Sequence, residues 1–323
     1  MRCRALFRVA AVLLVAGLAS EAVAQAASWP DKPVKVILPY APGGATDLIG
    51  RPWADKLSQV FGQQFVIENR GGAGGMIGTE AAAKAAPDGY TLLLTPNATL
   101  TILPSLRQTA YDALKSFDPV GRVGDLVSGF VVHPAVGVKT FKELVDYAKK
   151  NPGKLAYGSA GLGTATQLRI EMLKYKAGID ILHVPYRGSA DALNDLLPNT
   201  VQMMNEINVL PHVKAGKLIL LNINYATRHP DFPETPTLTE LGYTDADVPI
   251  WYLVCAPAGT PKDIVQKLNA KLVELAKSDD MVAKLKAINV IVPSQTPDEI
   301  RAYIAEDTKR NAELIKAANI KLE

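Results

Sequence analysis

Short apolar runs alternate with amphipathic stretches along most of the chain, and glycine, proline or hydroxyl residues mark the junctions. Val34-Lys35-Val36-Ile37-Leu38 has the length and composition of a buried strand. After the loop Pro39-Tyr40-Ala41-Pro42-Gly43-Gly44-Ala45-Thr46-Asp47, apolar positions at Ile49, Trp53, Leu57 and Val60 follow helical spacing. Pro52 falls inside this helix, where it removes a hydrogen bond and crowds the carbonyl of Leu48, so the helix either kinks there or begins later. Phe65-Val66-Ile67-Glu68 reads as a second strand, Arg70-Gly71-Gly72-Ala73-Gly74-Gly75 as a second glycine-rich loop, and Thr79 to Ala86 as a helix. The turn Pro87-Asp88-Gly89 introduces a strand from Tyr90 to Leu94, ending at Thr95-Pro96-Asn97.

Gly129-Phe130-Val131-Val132 is a further apolar segment, and a helix from Phe141 to Lys150 stops at Asn151-Pro152-Gly153. Strand Lys154 to Gly158 then leads through Ser159-Ala160-Gly161-Leu162-Gly163-Thr164 into a helix closing near Gly178. Strand Ile181 to Val184 leads through Pro185-Tyr186-Arg187-Gly188-Ser189 into a helix from Ala190 to Leu197. Strand Val201 to Met204 leads through Asn205-Glu206-Ile207-Asn208 into a short helix ended by Gly216. From Trp251 a last strand passes Pro257-Ala258-Gly259-Thr260-Pro261 into long charged helices, whose charges read as a solvated face.

This alternation predicts α/β lobes around largely parallel sheets, and the length favours two lobes over one. The tail is expected to return to the first lobe. That gives lobe I from 25–127 and 248–323, lobe II from 128–247, and two chain crossings between them. Loops at the C-terminal ends of strands are where open α/β sheets bind ligands. Glycines there let backbone approach a ligand closely, and unpaired N–H groups at a helix start favour an anion. The chain therefore carries an anion cradle built from main chain.

Residues 1–24 read as a secretory signal peptide: Arg2, Arg4 and Arg8, an apolar core from Val9 to Ala19, and the small-residue pattern Ala22-Val23-Ala24. The apolar core is shorter than the ~20 residues a membrane anchor needs. Cleavage after Ala24 removes 24 of 323 residues, leaving 299 in an exported, soluble form, and takes the formal charge from +3 to about +1. Cys3 leaves with the signal, so Cys255 stands alone, a small buried hydrophobe in a strand, with no internal disulfide. No basic stripe with interleaved aromatics points to nucleic acid.

Enzymatic readings fit poorly. Gly72 to Gly78 mimics a dinucleotide fingerprint, but its last glycine is one place late and no acidic residue ends the next strand. Tyr157-Gly158-Ser159-Ala160-Gly161 resembles a nucleophile elbow with Tyr157 in place of the first glycine. His183 and His212 are candidate bases on paper, yet the sequence places neither beside Ser159. His133, His183, His212 and His229 are too scattered for a metal site, and nothing calls for a cofactor.

Several stretches recur together: Trp29-Pro30-Asp31-Lys32-Pro33, Pro42-Gly43-Gly44-Ala45-Thr46-Asp47, Glu68-Asn69-Arg70 with Gly72-Ala73-Gly74-Gly75, and Ala86-Pro87-Asp88-Gly89-Tyr90-Thr91-Leu92. Tyr157-Gly158-Ser159-Ala160-Gly161, Val184-Pro185-Tyr186-Arg187-Gly188-Ser189, Lys214-Ala215-Gly216-Lys217-Leu218 and Ala256-Pro257-Ala258-Gly259-Thr260-Pro261 complete the series. In this order the chain resembles the periplasmic substrate-binding proteins of tripartite tricarboxylate transporters, the Bug family.

The resemblance implies a two-lobed periplasmic binding protein fold, type II-like, with its ligand cleft between the lobes. It implies a non-enzymatic receptor that closes on a small organic carboxylate and delivers it to membrane permease subunits; a monomer suits that work. The alternatives are a receptor feeding a sensor system and, more remotely, an exported serine hydrolase. Carried over by position, Tyr40, Ala41, Pro42, Gly43 and Gly44 would meet the proximal carboxylate, with Asp47 orienting water or the loop and Asn97 at the next strand end. The other lobe would supply Ser159, Gly163, Thr164, Gln167, Tyr186, Arg187, Gly188, Ser189 and Asn205. Gln167 stands where the family commonly has histidine, Asn205 where it has aspartate, Pro198-Asn199 where it has two glycines, and Arg187 where it more often has lysine. Arg187 could grip a carboxylate bidentately or stand as a solvated surface charge, and Asn205 removes a negative charge. Together they favour a dicarboxylate.

Overall fold

The computed structural model describes residues 29–321. The expected signal segment, its expected cleavage point and Cys3 lie outside them. The chain opens with β1 (Val34–Leu38), α1 (Ala45–Phe61), β2 (Phe65–Asn69), α2 (Met76–Ala83) and β3 (Thr91–Pro96), followed by the short helices α3 (Ala98–Thr101) and α4 (Leu103–Leu106) and the long strand β4 (Phe117–Leu126). Then come β5 (Phe130–Val132), α5 (Phe141–Lys150), β6 (Ala156–Ser159), α6 (Ala165–Ala177), β7 (Leu182–Pro185), α7 (Ser189–Leu196), β8 (Met203–Asn205), α8 (Leu210–Lys214) and β9 (Ile219–Leu220). The final part holds β10 (Trp251–Pro257), α9 (Lys262–Ala276), α10 (Asp279–Ala287), β11 (Val290–Ile291) and α11 (Pro297–Ala317).

These strands make two sheets, one of six strands in the order β11-β4-β10-β3-β1-β2 and one of five in the order β7-β6-β8-β5-β9. The first joins strands from both ends of the chain; the second uses only strands from its middle. The expectation of largely parallel sheets needs correction. β1 runs parallel to β2 and β3, and β6 to β7 and β8, but β10, β11, β5 and β9 all pair antiparallel. The reason is topological: β10 re-enters from the other sheet and runs away from the cleft, against the direction of β3 and β4.

Local chemistry explains the elements that frame the cleft. Ile49, Trp53 and Leu57 are buried at helical spacing on α1, and the Trp53 indole N–H donates to the Val123 carbonyl at 2.9 Å. Each such side chain contributes about 2 kcal/mol of apolar burial. Val60, expected on the same stripe, is 41 % exposed. The helix ends one residue later at Gly62, whose φ of +67° suits glycine. Pro52 does not shorten α1, which runs through it from Ala45 to Phe61; the proline is half-buried, next to the exposed Arg51. Helix α6 starts at Thr164, whose hydroxyl accepts from the Gln167 amide at 3.4 Å, and stops at Gly178.

Candidate functional site

The loops after β1, β6 and β7 open α1, α6 and α7, and all three helix starts border one cavity between the sheets. Gly44, Ala45 and Thr46 come from the first, Thr164, Ala165 and Thr166 from the second, and Ser189 from the third. The first-turn amides of a helix have no intrahelical acceptor, and the positive end of its dipole lies there. Three such ends meeting at one point make a strongly anion-attracting wall of main chain.

The first loop is held in shape by Asp47. Its carboxylate accepts from the Gly43 amide at 3.0 Å, from Asn69 at 3.2 Å, and from Arg51 Nε and Nη2 at 2.8 and 2.9 Å. Burial pushes this carboxyl upward, but the hydrogen bonds from Arg51, Gly43 and Asn69 outweigh it and hold it below its ordinary range. Asn69 also donates to the Tyr40 carbonyl at 3.1 Å. Asp47 thus orients the loop.

The lobes meet in a closed arrangement. The Ala45 amide donates across the gap to Ser189 Oγ at 3.0 Å. Gly188 packs against Ala41, where an added Cβ would lie 3.6 Å from the Ala41 Cβ. Gly74 and Leu162 approach so closely that a Cβ on Gly74 would stand 2.0 Å from the Leu162 carbonyl oxygen, and one on Gly163 would stand 2.4 Å from a Leu103 methyl. At this separation the inner cavity holds about 20 Å³, room for one water-sized group. An outer cavity of about 610 Å³, lined by Gly72–Gly75, Gly161, Tyr186, Arg187 and Asp191, shares Tyr40 and Ala160 with it as a common wall.

Of the residues expected at the site, Tyr40, Gly44, Thr164 and Ser189 border the inner cavity. The Tyr40 hydroxyl donates to the Gly74 carbonyl at 2.9 Å, and burial raises it far above its ordinary range. Ala41, Gly43 and Gly188 form the seam between the lobes and Pro42 is exposed, while Tyr186 and Arg187 line the outer cavity, with Arg187 exposed. The Tyr186 hydroxyl donates to Asp195 at 2.6 Å.

The remaining residues are committed elsewhere. Asn97 donates to Asp307 at 2.7 Å and to the Pro249 carbonyl at 3.2 Å, inside a buried network. Gln167 accepts the Gly163 amide at 2.7 Å, bracing that loop. Asn205 is fully buried and donates to the Thr166 carbonyl at 2.9 Å, with its Oδ1 unpaired. Neither Arg187 nor Asn205, the two residues that favoured a second carboxylate, borders the inner cavity.

Ser159 does meet His183, at 2.7 Å from Oγ to Nε2, a contact the sequence left open. The serine is fully buried, however, and its hydroxyl also accepts the Gly161 amide at 3.1 Å. The far side of the ring faces the amide nitrogen of Gln167 at 3.3 Å in place of a carboxylate, and the ring stacks on Tyr157 at 4.7 Å. Burial, with Lys174 nearby, lowers His183 to about 4. The pair closes a turn.

Two cavity-lining residues escaped the sequence reading. Tyr252, on β10, is buried and hydrogen-bonded to the Thr46 side chain. Glu206, just past β8, is 4 % exposed, with its carboxylate accepting the Ile207 amide at 3.4 Å. Burial pushes it up to about 7, opposed by Arg169 and that amide. Arg169, itself buried, donates to Ser128 Oγ at 2.8 Å and the Val248 carbonyl at 2.6 Å, tying one helix to both chain crossings. A separate, largely apolar cavity of about 360 Å³ behind the hinge, bordered by Val127, His229, Val282 and Val290, receives no helix start.

Residues 49–320 match the model of the tripartite tricarboxylate transporter family receptor. Protein BugT of Bordetella pertussis is 35% identical over 318 residues, covering 96% of each chain. An R. palustris protein solved with adipate superposes with a TM-score of 0.87 at 31% identity, over 91% of this chain and 99% of that one. MatC from Rhodopseudomonas palustris, solved with bound malate, superposes with a TM-score of 0.85 at 29% identity, over 89% and 100%.

Proposed function

Because this chain belongs to the tripartite tricarboxylate transporter receptor family, we propose that it captures a small organic carboxylate between its two lobes and delivers it to the membrane permease subunits of a tripartite transporter. The family is one of substrate-binding receptors, and the protein is a periplasmic solute receptor, not an enzyme. One observation carries the ligand class: three helix starts converge on a single cavity between the lobes, and the adipate- and malate-bound relatives share this fold.

In this reading the ligand carboxylate takes main-chain N–H groups from the starts of α1, α6 and α7, with the Ser189 and Thr164 hydroxyls beside it. Lobe I comprises 25–127 and 248–323, lobe II 128–247. The lobes part to admit the ligand and close on it, so affinity reflects how far the ligand stabilises the closed form. Export precedes binding, with the signal removed after Ala24, and the receptor works as a monomer.

The test is thermal unfolding of the protein beginning at Gln25, refolded to strip carried-over ligand, against aliphatic, aromatic and amino-acid carboxylates. At a hundred times its dissociation constant a ligand adds about 2.7 kcal/mol to stability. A selective upward shift with one carboxylate class is the expected result. A panel without any shift, beside a neutral solute that does shift, would overturn the carboxylate assignment.

A further inference from the structure

The inner cavity is built to attract anions, yet one of its walls is a carboxyl group. Glu206 borders it together with the starts of α1, α6 and α7, and is the acidic side chain among the residues lining it. Its carboxylate accepts its own neighbour's amide, Ile207 N–H, at 3.4 Å. The groups that act on it electrostatically from the elements packed around it are Tyr40 after β1, Arg169 on α6 and Tyr252 on β10. Arg169 donates from Nε to Val248 and from Nη1 to Ser128, and Asp247 shares its charge. An ionised Glu206 would repel a carboxylate placed in this cavity; a protonated one would donate to it.

We propose that Glu206 is a ligand-binding residue that acts as a neutral acid, donating its proton to a ligand carboxylate oxygen, so that capture takes up one proton per ligand. The inference rests on the carboxylate-receptor reading and adds to it a named contact and a regulation by pH. The proton balance is simple: solvent supplies it when Glu206 is ionised, and it stays on Glu206, shared with the ligand oxygen. Since burial in the closed arrangement pushes Glu206 up to about 7, uptake belongs to neutral and mildly alkaline pH. Small carboxylates are themselves ionised throughout that range, and both tyrosines are raised above their ordinary values, so neither mimics the effect.

Calorimetric titration tests this with the carboxylate that scores highest in the thermal panel, at pH 6.5 and 8.5 and in two buffers of different ionisation enthalpy. The wild-type dissociation constant is expected to weaken up to about 25-fold between these pH values, with uptake approaching one proton at the higher. Glu206→Gln keeps the size and a donor but cannot ionise; its constant should stay near the wild-type pH 6.5 value at both. Wild-type binding that is flat with pH and buffer-independent overturns the proton-donor role and leaves the receptor reading intact. An unaltered pH dependence in Glu206→Gln likewise moves the proton elsewhere and overturns the assignment. Absence of carboxylate binding by both proteins, with each folded by circular dichroism, overturns this inference and the receptor reading together.

Discussion

Replacing Gly74 with alanine should hold the lobes apart without touching the ligand. The new Cβ would stand 2.0 Å from the Leu162 carbonyl oxygen of the other lobe, and Gly74 has a φ of +67°. Carbon and oxygen tolerate an approach of about 3.3 Å, so the two loops must separate by about 1.3 Å. That separation stretches the Ala45-to-Ser189 hydrogen bond beyond useful range and lifts Leu103 from Gly163. With about 1 kcal/mol for the bond and a similar amount for the packing, the closed form loses about 2 kcal/mol, or roughly 30-fold in affinity.

Gly62→Ala is the control: its φ is also +67°, but nothing lies within 4 Å of the added Cβ. Both variants carry about 1 kcal/mol or more of left-handed strain and should melt at lower temperature. Only Gly74→Ala should weaken ligand binding by titration calorimetry and leave the radius of gyration at its open value when ligand is added. Equal dissociation constants for the two variants would refute the reasoning, because strain within one lobe would then account for everything Gly74 does.

Asp47→Ala strands the Gly43 amide, Arg51 and Asn69, and should cost about 2–3 kcal/mol in urea unfolding at neutral pH. Because folding holds the Asp47 carboxyl below its ordinary value, its contribution is present above about pH 4 and is lost as pH falls through the folded value, so the wild-type advantage over Asp47→Ala should shrink at pH 3. Cys255 is fully buried and its thiol is pushed well above the ordinary range by burial, so it should resist an aromatic disulfide reagent at pH 8 until denaturant is added; fast native labelling would contradict that placement.

Much of the architecture was legible because its signals are local. The strand Val34–Leu38 and the helix Phe141–Lys150 fall where apolar spacing and breakers put them. β4 was not legible: it carries Asp118, Pro119, Gly121, Arg122, Gly124 and Asp125 and shows no alternation, yet most of it is buried. Its pairing with β10, with irregular register on either side of Leu253 and Val254, comes from the far end of the sequence. At the site, glycine loops opening helices were readable as an anion cradle, whereas side-chain commitments were not. Asn97, Gln167 and Asn205 look available in the sequence but are consumed by Asp307, Gly163 and Thr166. Glu206 had the opposite fate, reading as one more polar loop residue until the packing around it placed it on the cavity wall.

The strand order of the six-stranded sheet also fixes a schedule. β3 and β4 do not pair with each other; β10 lies between them, with Tyr252 opposite Pro96 on one side and Gly124 on the other. Half a sheet with a slot in its middle exposes two unpaired edges, so the first four strands cannot close a stable layer until residues beyond 250 arrive. The intervening five-stranded unit is therefore synthesised before the lobe that flanks it can lock. The six-stranded layer thus stays open until the last quarter of the chain is made, and the central strand is the bolt that closes it.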